Sequence, residues 1–134
     1  MKKMSVTLLS AAAISLAAGL FGTSAAMADG KVACGSKESP CPMQKWMKTT
    51  MAGAMSSGDK TKIAAALEII AKNPPASYSK ADQEAWTKLA NDGVALAKKD
   101  SLDVDAVKAN CKACHDKYQE SFKKSDKRGD AWPK

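Results

Sequence analysis

From Cys41 to Lys124 apolar residues recur every three or four positions, and this period constrains the fold more than any other feature. Met43, Met47, Thr50, Met51, Ala54 and Met55 share one face of a first helix, and Pro42 suits its opening turn. Ser57-Gly58 ends it. Asp59 caps a second helix that buries Ile63, Ala66, Leu67 and Ile70, and Asn73-Pro74-Pro75 stops it. Ser79, with Asp82 three residues on, opens a third, whose stripe is Ala85, Trp86, Leu89, Gly93, Leu96 and Ala97. Asp103 caps a fourth, with Val104, Val107, Cys111, Cys114, His115, Tyr118 and Phe122 on one side. No strand-like alternation of β-branched residues competes, and no internal repeat is present. Four helices with short connections predict an all-α fold, an antiparallel four-helix bundle.

The N-terminus reads as a secretory signal peptide over residues 1–28: Met1-Lys2-Lys3, an apolar stretch from Val6 to Phe21, then Ala26-Met27-Ala28 before Asp29. Ser10, Ser15 and Gly19 interrupt the stretch, which is shorter than the ~20 residues of a spanning helix, so the mature chain is expected to have no membrane span. Cys34 lies too far past it for a lipid anchor. Residues 29–134 then form a single domain, too short for two active-site domains, which excludes a large multi-substrate enzyme. Export points to a bacterial periplasm, where unpaired thiols oxidise. Cys34 and Cys41, enclosing Gly35 to Pro40, are therefore expected to form a disulfide stapling the N-terminal segment to the first helix. A labile redox pair is the alternative.

Cys111-Lys112-Ala113-Cys114-His115 carries the chemistry. Two cysteines three apart on a helix lie on nearly the same side, so both sulfurs can form thioethers to one haem while the next residue's imidazole meets the iron. Cys-x-x-Cys alone would equally suit a redox pair or half a zinc site. Zinc would need two more ligands, and the chain has four cysteines and one histidine. The expected cofactor is one covalent haem c near the C-terminus, on Cys111, Cys114 and His115. The histidine count excludes paired-histidine ligation.

The stretch from Cys111 to Tyr118, with the basic residues Lys123-Lys124 after it, resembles the C-terminal helix of the cytochrome c-prime family, exported four-helix bundles with one c-type haem. That family divides into high-spin members and low-spin relatives in which a first-helix methionine binds the iron. The low-spin relatives carry a Met-Lys pair there, and Met47-Lys48 matches it. The resemblance thus implies Met47 as the sixth ligand, a soft thioether that favours ferrous iron. Met43 and Met51 remain alternatives, since methionines at i+4 also fill bundle cores.

Two functions are expected from these residues. The first is a non-enzymatic carrier of single electrons between periplasmic proteins, with iron held by His115 and Met47. The second is a five-coordinate, high-spin protein that binds or senses NO or CO. Peroxide cleavage would need a distal acid–base group and a positive partner, and the only arginine is Arg128, in the tail. The net charge is +7, and Lys108, Lys112, Lys117, Lys123 and Lys124 crowd the haem helix. They are a solvated face or a rim that steers acidic redox partners. Nucleic acid is not expected as a partner, and pairing of two copies stays open. Trp46, Trp86, Tyr118 and Phe122 are expected to pack the core or the haem. The tail from Asp126 to Lys134 is expected to fray.

Overall fold

The computed structural model describes residues 33–133, which are helical with no strand among them. The expected signal peptide, residues 1–28, lies outside them. Helix α1 runs in three pieces, an α-turn Pro42–Trp46, a π-turn Met47–Met51 and an α-segment Ala52–Ser57. Helix α2 spans Lys60–Lys72, α3 spans Lys80–Ala97 and α4 spans Val104–Lys124. A 3-10 turn, Asp126–Gly129, comes after α4.

The boundaries sit where backbone chemistry places them. Gly58, at φ 64°, takes the left-handed conformation that ends α1. The Asp59 carboxylate accepts from the Thr61 and Lys62 amides, Ser79 Oγ from the Asp82 amide, and Asp103 from the Ala106 amide. Each satisfies amides that the first helical turn leaves without a partner. Disulfide-bonded Cys41 caps α1: its amide donates to Gln44 Oε1 at 2.9 Å, and Cys34 and Cys41 are joined at an S–S distance of 2.06 Å.

Packing follows chain order, α1 on α2, α2 on α3 and α3 on α4. Ile63, Ala66, Leu67 and Ile70 are buried as their spacing predicts, and Trp86, Gly93 and Ala97 are buried on α3. Ala90 and Val94 join them, widening the stripe. The Trp86 indole donates to the Ile70 carbonyl at 2.8 Å, and Asn110 Nδ2 to the Leu89 carbonyl at 3.2 Å. Gly93 lets α3 approach α4: a Cβ there would stand 2.6 Å from Asn110 Oδ1 and 3.3 Å from Leu67. No helix among the described residues is long and apolar enough to cross a membrane.

Two features depart from expectation. Thr50 is exposed rather than on the buried stripe. The Thr49 hydroxyl donates to the Lys45 carbonyl at 3.0 Å, the oxygen that its own amide would bond in an α-helix, and the Ala52 amide reaches back five residues to Met47. A side chain competing with the backbone ladder loosens the turn into a π-form and shifts the register of the residues after it. The tail does not fray as far as Pro133. Arg128 donates to the Lys123 carbonyl, Ser125 Oγ to Ser77 Oγ at 3.0 Å, and the Trp132 indole to the Asn73 carbonyl at 2.9 Å.

Candidate functional site

A cleft of about 810 Å³ opens between α1 and α4, within the range of roughly 300–1,000 Å³ typical of cofactor pockets. The α1 wall carries Met43, Met47, Met51 and Met55, so the whole methionine row faces one space. The α4 wall carries Cys111, Cys114 and His115. Leu67 and Ile70 of α2 and Trp86, Leu89 and Ala90 of α3 supply further apolar lining, with Tyr118 and Phe122 on α4. The residues nominated from sequence as cofactor and iron ligands, sixty-odd positions apart in the chain, therefore border a single cavity.

Depth differs along the walls. Met43 and Met51 are buried, Met47 and Met55 half-buried. Cys111 and Cys114 are half-buried and His115 is exposed, because the step from Cys114 to His115 turns about 100° round the helix. Burial pushes the thiols up: Cys111 above its ordinary value, and Cys114 to about 11, mainly through lost hydration and then through the neighbouring Cys111. Both are neutral thiols near pH 7. The buried side chains include no charged or polar residue among those described.

Beneath the cleft, Tyr78, Trp86 and Tyr118 form a tight aromatic cluster. Centroids lie 5.3 Å apart for Trp86–Tyr118 and for Tyr78–Tyr118, and 6.1 Å for Tyr78–Trp86. Tyr118 donates to the Asp82 carbonyl at 3.2 Å and Tyr78 to the Tyr118 carbonyl at 3.1 Å, so both hydroxyls are satisfied. Loss of hydration raises the Tyr78 hydroxyl above its ordinary range. Trp46 does not border the cleft and instead meets Trp132 edge to face, centroids 4.8 Å apart.

The lysines sort by position. Lys108, Lys112 and Lys123 border the cleft and Lys48 joins them from α1, whereas Lys117 lies 5.0 Å over the Tyr118 ring and Lys124 is not part of the lining. Lys108, Lys112 and Lys123 pair within α4 with Asp105, Asp116 and Glu120, all in water-exposed settings. Such pairs hold their partners weakly.

Sequence reasoning missed the π-turn, the docked tail and the place of Lys48 beside the α4 lysines at the cleft. Thr49-Thr50, two β-branched hydroxyl residues inside a helical run, was the available signal for the first. No family model matches the chain, and no curated protein or solved structure matches it either.

Proposed function

We propose that this protein is an exported electron carrier of the c-type cytochrome class, an antiparallel four-helix bundle with one haem c seated in the α1–α4 cleft. The observation that carries the reading is the meeting of Cys111, Cys114 and His115 with the methionine row across one largely apolar cavity. The donor set fits a tethered porphyrin better than a bare ion. Among the described residues no three His, Cys, Asp or Glu side chains group closely enough to hold a metal alone.

When bound, the haem supplies one-electron iron chemistry. Cys111 and Cys114, one helical turn apart on the α4 wall, would hold the porphyrin through two thioethers, and His115 and Met47 would be its iron ligands. Met43, Met51, Leu67, Ile70 and Trp86 line the apolar part of the cleft and would keep water from the group. His115 is exposed, so the group's edge there would lie near solvent, within reach of a redox partner. Lys48, Lys108, Lys112 and Lys123 surround the opening, which fits an acidic face on periplasmic redox partners. This is the reading that the resemblance to the low-spin cytochromes c-prime implies.

One observation favours a second reading: Met47 is less buried than Met43 and Met51, and a methionine that stays in the lining leaves an apolar face suited to NO or CO. Visible spectra of the holoprotein, oxidised and reduced, with and without CO and beside Met47→Ala, decide between them. The carrier reading expects a six-coordinate low-spin wild type with a weak red-edge sulfur-to-iron band, indifferent to CO, and loss of that band in the variant. A high-spin wild type that takes up CO, with Met47→Ala unchanged, establishes the gas-binding reading. A purified protein without haem overturns both.

A further inference from the structure

We propose that Trp132 is a positioning residue for Met47, acting through the first turn of α1; this rests on the reading of Met47 as the distal ligand. The backbone of α1 holds itself poorly at that point. Pro42–Trp46 is a single α-turn, and the π-turn Met47–Met51 comes at once after it, with Thr49 Oγ1 donating to the Lys45 carbonyl. A π-turn is a weak joint, and a five-residue turn set off by one has little helical stability of its own. Tertiary contacts must fix this turn.

Those contacts come from the tail. The Trp132 ring stands edge to face with Trp46, centroids 4.8 Å apart, and its N–H donates to the Asn73 carbonyl at 2.9 Å. Asn73 is the cap of α2, so one indole ties the residue next to Met47 to the far end of a different helix. The 3-10 turn Asp126–Gly129 packs on Pro42–Trp46, and the Cys34 sulfur lies 4.0 Å from the Arg128 carbonyl, joining the disulfide loop to the same knot. Behind Trp132 only about 30 Å³ is free, and Met43 and Phe122 line both this small cavity and the cleft. The tail therefore packs behind Met43 and Phe122, two residues of the cleft wall, and its indole sets how far Met47 stands over the cleft.

The test compares holoprotein of the wild type, Trp132→Ala and Trp132→Phe. Limited chloramine-T oxidation and peptide mass spectrometry together give the ratio of Met47 to Met55 oxidation, Met55 lying beyond the π-turn on the same wall. Visible spectra with CO are recorded in parallel. Trp132→Ala is expected to raise the ratio at least about fivefold, as local opening exposes Met47, and to let CO reach a fraction of the iron. Trp132→Phe keeps a ring against Trp46 but loses the N–H to Asn73, and gives a smaller rise of the same sign; it stays readable if the alanine variant does not fold. A ratio unchanged in every variant that folds, whatever happens to Tm, overturns the proposal. A wild type that is high-spin and binds CO overturns the ligation reading by itself, and the Met47-to-Met55 ratio then decides whether Trp132 positions Met47 at all.

Discussion

The indole nitrogen of Trp86 and the carbonyl oxygen of Ile70 lie 2.8 Å apart, a buried hydrogen bond that joins α3 to the C-terminal end of α2 under the cleft. Pro74, four residues after Ile70, has no amide hydrogen, so this carbonyl accepts from the Asn73 amide at 3.2 Å as well as from the indole. Trp86→Phe keeps most of the ring area and deletes the donor. Because the carbonyl keeps its Asn73 partner, the loss is expected to cost about 0.5–1.5 kcal/mol in urea unfolding, and Trp86→Ala about 3–5 kcal/mol.

Two glycines on different helices respond in opposite directions. A Cβ on Gly93 would stand 2.6 Å from Asn110 Oδ1, and Asn110 cannot swing away freely because Nδ2 holds the Leu89 carbonyl. Gly93→Ala is expected to destabilise by about 1–3 kcal/mol. At Gly53, a helical position, a Cβ meets nothing within 4 Å, so Gly53→Ala is expected to stabilise by about 0.5–1 kcal/mol. Chemical denaturation of both variants beside the wild type checks the pair.

The cleft thiols, free in this structure, make the chain sensitive to alkali. The Cys114 pKa rises from an ordinary 9.0 to about 11, chiefly through lost hydration, so the unfolded chain gives up that proton first. Stability from this group is complete below pH 9, falls as pH climbs, and is gone above about 11. Thermal unfolding between pH 8 and 11 should show the decline, and Cys114→Ser should flatten it. Iodoacetamide should label Cys111 and Cys114 more slowly than a free cysteine at about pH 8, because little thiolate is present.

Cutting the disulfide acts on the same end of the molecule as the tail. Cys41 is both a partner in the bond and the residue before α1, fully buried. Replacing Cys34 and Cys41 together by alanine is expected to cost about 2–4 kcal/mol. Hydrogen exchange read by mass spectrometry should place the lost protection in Pro42–Met51 rather than in α2 or α3.

Local chemistry makes much of this legible from sequence. Gly58, Asp59, Ser79 and Asp103 act within three residues of their own position, so their caps read directly from the chain. Leu67 and Ile70 come from a 3.6-residue period, and the two halves of the candidate site are each marked by a local pattern, the Cys-x-x-Cys-His run and the methionine spacing. Contacts across the chain are not legible in this way. Trp132 meets a carbonyl 59 residues away, and no local pattern marks a tail that docks. The methionine spacing reads as unbroken α-helix because residues four apart share a side in an α-turn and in a π-turn alike.

Helix α1 is anchored at both ends, at its N-terminus by the disulfide loop and the tail, and at its C-terminus by the one-residue bend at Gly58 leading to the Asp59 cap. Between these anchors lies the π-turn, Met47–Met51. Residues four apart drift about 40° round a regular α-helix, and a wider turn takes up part of that drift, as slack let into a thread brings its marks back into line. Met43, Met47, Met51 and Met55 thus all border one cleft.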